Sequence, residues 1–239
     1  MTSQQGVDLK VSAETRMDAA EPAATAAGRP ASSSVQRQQR GELRRTAILR
    51  ATWQVVLRDG VRGVRHRAVA EAAGVPLAST TYYFKDIHEL LVQSFQLFAE
   101  EAYTRFTQPF WLQAAERMSE VALGPDDRRW SDLLTDLAAD YIAQRLRDHR
   151  EQAVMEYAFW YAALHEPELQ PAVRDMALRW MGLLLPWLRQ AGLRQPEQAA
   201  RCVLATVRRI EYEALIESSA TTQQNWIREA LHYQIKGLW

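Results

Sequence analysis

The chain has 239 residues, of which 47% are hydrophobic and 24% charged, so it can bury a sizeable core, and its composition excludes a wholly disordered protein. Its 29 basic and 29 acidic residues balance, which at first argues against a nucleic-acid partner. The charges are unevenly distributed, however. Between Val35 and Leu91 there are ten Lys or Arg and five Asp or Glu, whereas the residues after Leu91 carry sixteen against twenty. A basic region before a mildly acidic body fits a polyanion-binding module, although five charges could also form a solvated face.

The compartment is predicted from cysteine content and from apolar segments. The single Cys202 cannot form an internal disulfide, which favours a reducing compartment, and it lies in an apolar helical stretch where we expect a buried thiol. The first residues are polar and give no signal-peptide pattern. The most apolar stretch, Met181 to Leu188, contains Pro186 and is too short to cross a bilayer. We therefore expect a soluble, cytoplasmic protein that does not enter a membrane.

The first 40 residues are predicted to be a disordered arm. They are rich in Ala, Ser, Thr, Gln, Gly and Pro and contain few large apolar residues. Such a segment buries too little apolar surface to offset the entropy lost on ordering.

From Glu42 to Trp239 the hydrophobic pattern has the helical period. In the first helix, apolar positions recur at three- and four-residue steps and include Ile48, Val55 and Val56. Breaks are predicted at Asp59-Gly60, Gln108-Pro109, Gly124-Pro125, Glu166-Pro167, Gly192 to Pro196, and Ser218 to Thr222. No run alternates with period two for long enough to indicate a sheet, so the fold is predicted to be all-α.

Residues 67–84 have the pattern of two short helices joined by a tight turn. Val69, Ala70 and Ala73 lie on one face of the first helix, which ends at Gly74. Pro76 then begins the second helix at a position where its missing N–H costs nothing. This pattern predicts a helix-turn-helix, whose second helix presents its amino-terminal residues to base edges in the major groove of DNA. A helical hairpin in an unrelated bundle is the alternative.

The segment from Glu42 to Leu91 resembles the amino-terminal domain of the TetR family of bacterial regulators. The family pattern appears as Ile48 to Gly60, Val69-Ala70-Glu71-Ala72-Ala73-Gly74-Val75-Pro76, Thr81-Tyr82-Tyr83-Phe84 and His88-Glu89-Leu90-Leu91. The resemblance implies a DNA-binding domain over residues 41–86 and a larger helical ligand-binding and dimerisation domain over residues 87–239. It places Ser79, Thr80, Tyr82 and Tyr83 against DNA, with Leu77 and Ala78 at the groove floor and Phe84 in the core.

This sequence departs from the family pattern at three positions, one of which is Thr81 in place of a common Tyr. Ile87 stands where the family usually has a phosphate-binding Lys, and Arg65 stands where a Thr normally caps the second helix. We therefore expect other basic residues to contact phosphates. The candidates are Arg44, Arg45, Arg65, Arg67 and Lys85.

Aromatic and Met residues are concentrated in the body of the chain, which fits a bundle with an apolar ligand cavity or an ordinary core. The candidate cavity residues are Tyr103, Phe106, Trp111, Tyr141, Met155, Phe159, Trp160 and Trp180. Two amphipathic helices, from Pro196 to Glu217 and from Asn225 to Lys236, end the chain. They could cover their own core, whereas the resemblance implies that they form a homodimer interface.

The resemblance implies a repressor that a small-molecule inducer of unknown identity releases from double-stranded operator DNA. A helical small-molecule-binding or adaptor protein without DNA binding is the alternative. We expect no enzyme activity, catalytic residue, cofactor or metal site, because no phosphate loop, Cys-x-x-Cys, His-x-x-x-His or nucleophile elbow is present.

Overall fold

The computed structural model describes residues 32–121, 123–217 and 220–238, and the side chains in these ranges except those of residues 32–34 and 220–225. The chain divides into two compact units, Met1–Gln39 and Arg40–Trp239. The described ranges are helical and contain no strand, which confirms the all-α prediction. Residues 1–31 of the predicted disordered arm lie outside the described residues. Residues 32–40 are helical instead, because Gln and Arg, which dominate residues 36–40, are good helix formers.

The first four helices pack around a shared apolar core. Their bounds are Ser32–Asp59 for α1, His66–Ala72 for α2, Leu77–Tyr83 for α3 and Ile87–Ala102 for α4. Ile48 and Val55 of α1 are fully buried, as the helical period predicted, and they join Val69, Phe84 and Leu90 in one apolar cluster. Phe84 is therefore a core residue, as predicted.

Gly74 shapes the turn between α2 and α3. Its φ of +63° lies in the left-handed region that glycine adopts without steric cost. Its N–H donates to the carbonyl of Glu71 at 3.1 Å, and the N–H of Val75 donates to the carbonyl of Ala70 at 3.0 Å. This pair of hydrogen bonds is a Schellman motif, which ends α2 and turns the chain into α3.

Helix α4 begins with a side-chain cap. The Asp86 carboxylate accepts the N–H of Glu89 at 2.8 Å, and the Glu89 carboxylate accepts the N–H of Lys85 at 2.8 Å. Further along, the Trp53 indole donates to the carbonyl of Ser94 at 3.1 Å, and the Ser94 hydroxyl donates to the carbonyl of Leu49 at 3.1 Å. These bonds fasten α4 to α1.

The rest of the chain forms a helical bundle. After α4, a π-helical turn covers Tyr103–Thr107, and the later helices are α5 (Gln108–Ser119), α6 (Arg129–Asp148), α7 (Arg150–Ala162), α8 (Gln170–Gln190), α9 (Pro196–Ile216) and α10 (Ala220–Lys236). The predicted break at Gln108-Pro109 is wrong, because the π turn leads directly into α5. Pro109 has no backbone N–H to donate, and the wide π turn before it lets the helix continue without that hydrogen bond.

Helices α6, α8, α9 and α10 pack against one another and bury apolar residues that include Leu134, Leu188, Val207 and Leu231. Cys202 lies on the exposed side of α9, so the prediction that it is buried is wrong. Within the described ranges, no helix is both long enough and apolar enough to cross a membrane.

Candidate nucleic-acid interface and ligand cavity

The outward face of α3 carries side chains that are exposed to solvent. Tyr82 is 81% exposed, Leu77 is 49% exposed, and Ala78 and Thr81 are also exposed. The ring of Tyr82 touches that of Tyr83 edge to face, with the ring centroids 5.0 Å apart. A phenol, a threonine and two apolar side chains on one short helix can bond phosphates or bases and contact thymine methyl groups.

The inward face of α3 holds the helix to its core, and here one predicted DNA contact is wrong. The Thr80 side chain is 0% exposed, and its hydroxyl donates to the carbonyl of Leu77 at 2.8 Å. Thr80 is therefore turned into the core rather than towards solvent. Ser79 and Tyr83 are half-buried at the border between the two faces.

Four of the five predicted phosphate contacts lie at the surface, although Lys85 Nζ is 3.8 Å from the Asp86 carboxylate. Arg44, Arg65, Arg67 and Lys85 are exposed. Arg65 precedes α2 and makes no side-chain capping bond, so its guanidinium is not held by the helix terminus. These residues give the surface around α2 and α3 a positive potential, which favours the approach of a nucleic acid.

Arg45, the fifth predicted phosphate contact, is engaged within the protein. It is half-buried, donates a hydrogen bond to the side chain of Gln93, and lies over the Phe84 ring with Cζ 5.6 Å from the centroid. Arg45 therefore joins α1 to α4, and it would have to leave Gln93 to contact a phosphate.

A small cavity lies between α5, α6, α8 and α9 in the body. Its volume is about 50 Å³, and its apolar walls include Phe110, Trp111, Tyr141, Trp180 and Val207. Pockets that hold small molecules commonly measure about 300–1,000 Å³. A ligand of that size would have to push these walls apart, and such a movement can be transmitted through the surrounding helices.

The predicted cavity residues fall into three groups. Trp111, Tyr141 and Trp180 line the cavity, and the Phe106 ring packs behind Tyr141 at a centroid distance of 5.1 Å. Met155, Phe159, Trp160 and Tyr103 do not line it. Met155 and Phe159 are buried core residues, whereas Trp160 and Tyr103 stack against arginine side chains.

Four charged residues form a buried cluster beside the cavity, which we call the charged cluster: Arg145, Glu156, Arg208 and Glu211. Arg145 donates to Glu211 at 2.7 Å and to Glu156 at 2.9 Å, and these three side chains are at most 3% exposed. Burial alone would lower the pKa of Arg145, but the electrostatic influence of Tyr141, Glu156 and Glu211 outweighs it and raises that pKa. The guanidinium therefore stays charged.

The charged cluster could not be predicted from the sequence, because its members are far apart in the chain and charged residues usually lie at the surface. A signal for one member was present. Glu211 falls between Ile210 and Ala214 on the apolar stripe of α9, a position that buries a carboxylate and therefore requires a partner for its charge.

Aromatic contacts connect the body to the first four helices. Phe159 of α7 packs on Phe95 and Phe98 of α4, with ring centroids 5.0 and 6.1 Å apart. Phe106, on the turn that follows α4, contacts the cavity residue Tyr141. Helix α4 therefore runs from the core beneath α3 to the wall of the cavity.

One group of described residues brings three possible metal ligands together. His88 Nδ1 at the start of α4 lies 3.2 Å from Glu166 Oε2 and 3.9 Å from Glu168 Oε2. All three side chains are substantially exposed, so we interpret the group as a surface ion pair between α4 and the α7–α8 connection.

Comparison with known proteins agrees with this architecture. The family model described as "Tetracyclin repressor-like, C-terminal domain" matches residues 129–237. The HTH-type transcriptional regulator PksA of Bacillus subtilis is 26% identical over 156 residues, which cover 64% of this chain and 67% of PksA.

Two solved structures extend the comparison to the whole fold. The multidrug binding protein EbrR, crystallised with proflavin, is 28% identical with a TM-score of 0.57, and the match covers 80% of this chain and 99% of EbrR. A transcriptional regulator from Rhodococcus sp. Rha1 has a TM-score of 0.59 at 22% identity, covering 81% of this chain and 95% of that one, and supports the fold alone.

Proposed function

This chain belongs to the TetR family of transcriptional regulators, and we propose that it is a repressor that a small molecule releases from operator DNA. The observation that carries the proposal is the outward face of α3, where Tyr82, Leu77, Ala78 and Thr81 are exposed together on a helix anchored from behind by Thr80 and Phe84. Members of this family are regulators rather than enzymes, which agrees with the absence of catalytic motifs in the sequence.

In this proposal residues 41–86 are the DNA-binding domain. Helix α3 enters the major groove, where Tyr82 and Thr81 present hydroxyls and Leu77 and Ala78 present apolar groups. Ser79 and Tyr83 contact DNA from the border of the same face. Arg44, Arg65, Arg67 and Lys85 contact phosphates and set the register of the protein on the duplex.

Residues 87–239 are the ligand-binding and dimerisation domain. We propose that the last two helices, α9 and α10, form a homodimer, since they leave Tyr212, Ile216 and Tyr233 exposed on a single chain. A twofold dimer places two α3 helices on two half-sites of the operator about one helical turn apart.

Release follows from the position of α4. A ligand that widens the cavity displaces Tyr141, which contacts Phe106 on the turn after α4. Because α4 is bonded to α1 through Ser94 and Trp53, its movement changes the separation of the two DNA-binding domains. Only a ligand with higher affinity for the displaced state shifts the population towards it. EbrR, solved with proflavin, supports the assignment of a ligand site to this body.

We expect nuclease footprinting on the DNA upstream of the chain's own gene to give two protected half-sites with centres about 10 base pairs, or a multiple of one helical turn, apart. The spacing follows from the twofold symmetry of the proposed dimer. Sedimentation of the same sample gives its oligomeric state. A monomer that protects no site would favour the adaptor alternative and contradict the proposal.

A further inference from the structure

The cavity meets the charged cluster at the rings of Tyr141 and Trp180. Both rings line the cavity. Arg145 Cζ lies 5.8 Å from the Tyr141 ring centroid and 5.9 Å from the Trp180 centroid, and Arg208 Cζ lies 5.0 Å from the Trp180 centroid. The apolar cavity therefore has charged and polar groups immediately behind one of its ends.

The carboxylates of the charged cluster have no free oxygen. Glu211 accepts Nε of Arg145 at 2.7 Å on one oxygen and the hydroxyl of Tyr157 at 3.0 Å on the other. Glu156 accepts Nη2 of Arg145 at 2.9 Å on one oxygen and Nη1 of Arg208 at 3.1 Å on the other. A cationic ligand would have to displace an arginine to reach Glu156, and an arginine or the Tyr157 hydroxyl to reach Glu211.

Around the charged cluster there are more hydrogen-bond donors than acceptors to receive them. Of the buried atoms that have no hydrogen-bond partner among the described residues, three are donors in or next to this cluster: the Tyr141 hydroxyl, Trp160 Nε1 and Arg208 Nη2. Each of them carries a hydrogen that can be donated. Burial raises the pKa of the Tyr141 phenol well above its usual value, an effect that Arg145 partly offsets, so its hydroxyl keeps its proton. The buried carbonyl oxygen of Gln152 also lacks a partner, but its side-chain amide can rotate to present either group.

We infer that the ligand of this cavity is an aromatic or apolar molecule that carries a hydrogen-bond acceptor group such as a carboxylate. The inference rests on the proposed ligand-binding function. The apolar body occupies the space walled by Phe110, Trp111 and Trp180, and an oxygen of the acceptor group receives the hydrogen of the Tyr141 hydroxyl, because Tyr141 is the cavity-lining residue among these donors. Buried donors lose their hydrogen bonds to water, and an anionic oxygen of the ligand replaces those bonds. Hydrogen bonds to a charged acceptor are stronger than those to a neutral one.

Three matched probes test the ligand class by equilibrium dialysis against the full chain. They are naphthalene-2-carboxylate, naphthalen-2-ylmethylammonium and naphthalene, which share one ring system and differ in the polar group. We expect the carboxylate to bind at least 10-fold more tightly than the ammonium. Equal or tighter binding of the ammonium would overturn the inference while leaving the ligand cavity standing. If none of the three probes binds, the ligand cavity of the proposed function fails as well.

Tyr141→Phe locates the acceptor group. Removing this hydroxyl is expected to weaken binding of the carboxylate about 10-fold, which corresponds to one hydrogen bond, and to leave naphthalene binding unchanged. The melting temperature of the free protein should not fall, because the hydroxyl has no protein partner to lose.

Tyr157→Phe is the matched control. The single hydrogen of the Tyr157 hydroxyl is already shared between the carbonyl of Arg208 at 2.7 Å and Glu211 Oε2 at 3.0 Å, so removing the hydroxyl should lower the melting temperature and preserve the 10-fold preference for the carboxylate. If Tyr141→Phe weakens binding of all three probes equally, it acts through the shape of the cavity, and the inference is overturned.

Discussion

Tyr82→Ala is expected to lower affinity for operator DNA about 100-fold and to leave the free energy of unfolding within about 0.5 kcal/mol of the original. The side chain is 81% exposed and its ring packs at a right angle to that of Tyr83, so folding loses little. A direct contact contributes about 1–3 kcal/mol of DNA recognition, and a dimer loses it at both half-sites. Two losses of about 1.4 kcal/mol correspond to a factor of 100.

Two control variants separate recognition from folding. Thr80→Ala, two residues earlier, removes a buried hydroxyl that bonds the carbonyl of Leu77 and should lower the free energy of unfolding by about 1 kcal/mol. Tyr161→Ala removes a tyrosine of similar exposure from α7 and should leave DNA affinity unchanged. Fluorescence anisotropy with a labelled operator and urea unfolding provide the two measurements. Normal DNA binding by Tyr82→Ala, or its unfolding, would show that the outward face of α3 is misassigned.

Arg145→Met is expected to lower the free energy of unfolding by about 3–5 kcal/mol, which is the usual cost of removing one partner from a buried ion pair. The substitution leaves Glu156 and Glu211 buried, Glu211 without its guanidinium and Glu156 with only Arg208. Urea unfolding monitored by circular dichroism measures the loss.

Arg147→Met, two residues along α6, is the matched control. Arg147 is exposed and pairs with its neighbour Asp148, so its loss should change the free energy of unfolding by at most about 1 kcal/mol. Adding Glu211→Gln to Arg145→Met should recover part of the lost stability, because it removes the carboxylate that the first substitution leaves without a guanidinium. Similar small losses for Arg145→Met and Arg147→Met would contradict the claim that Arg145 is needed to compensate the buried carboxylates of the charged cluster.

The sequence predicted the all-α fold and the two short helices because these depend on local patterns. Gly74 and Pro76 mark the turn, and the burial of Phe84 follows from the family motif. The burial of Thr80 was not predictable in the same way, since consecutive residues of a short helix differ by about 100° in direction and tertiary packing selects which of them faces the core.

The body was harder to predict because the same residue types serve different purposes there. Tyr141 and Trp180 line the cavity, whereas Phe159 packs on α4. The Trp160 ring stacks under Arg208, whose Cζ lies 3.6 Å from the ring centroid. Composition gave no means of separating these roles. The partners of Arg145 lie 11 and 66 residues away, and only the packing of α6, α7 and α9 brings them together.

The central claim, that this chain recognises DNA through α3 and the basic residues around it, is tested most directly by the salt dependence of its affinity for the DNA upstream of its own gene. Anisotropy titrations between 50 and 200 mM salt should show affinity falling by about 10³-fold or more, as expected for a dimer that contacts at least six phosphates. At each salt concentration the affinity should exceed that for an unrelated duplex. An affinity that is independent of salt, or equal for the two duplexes, would contradict the claim.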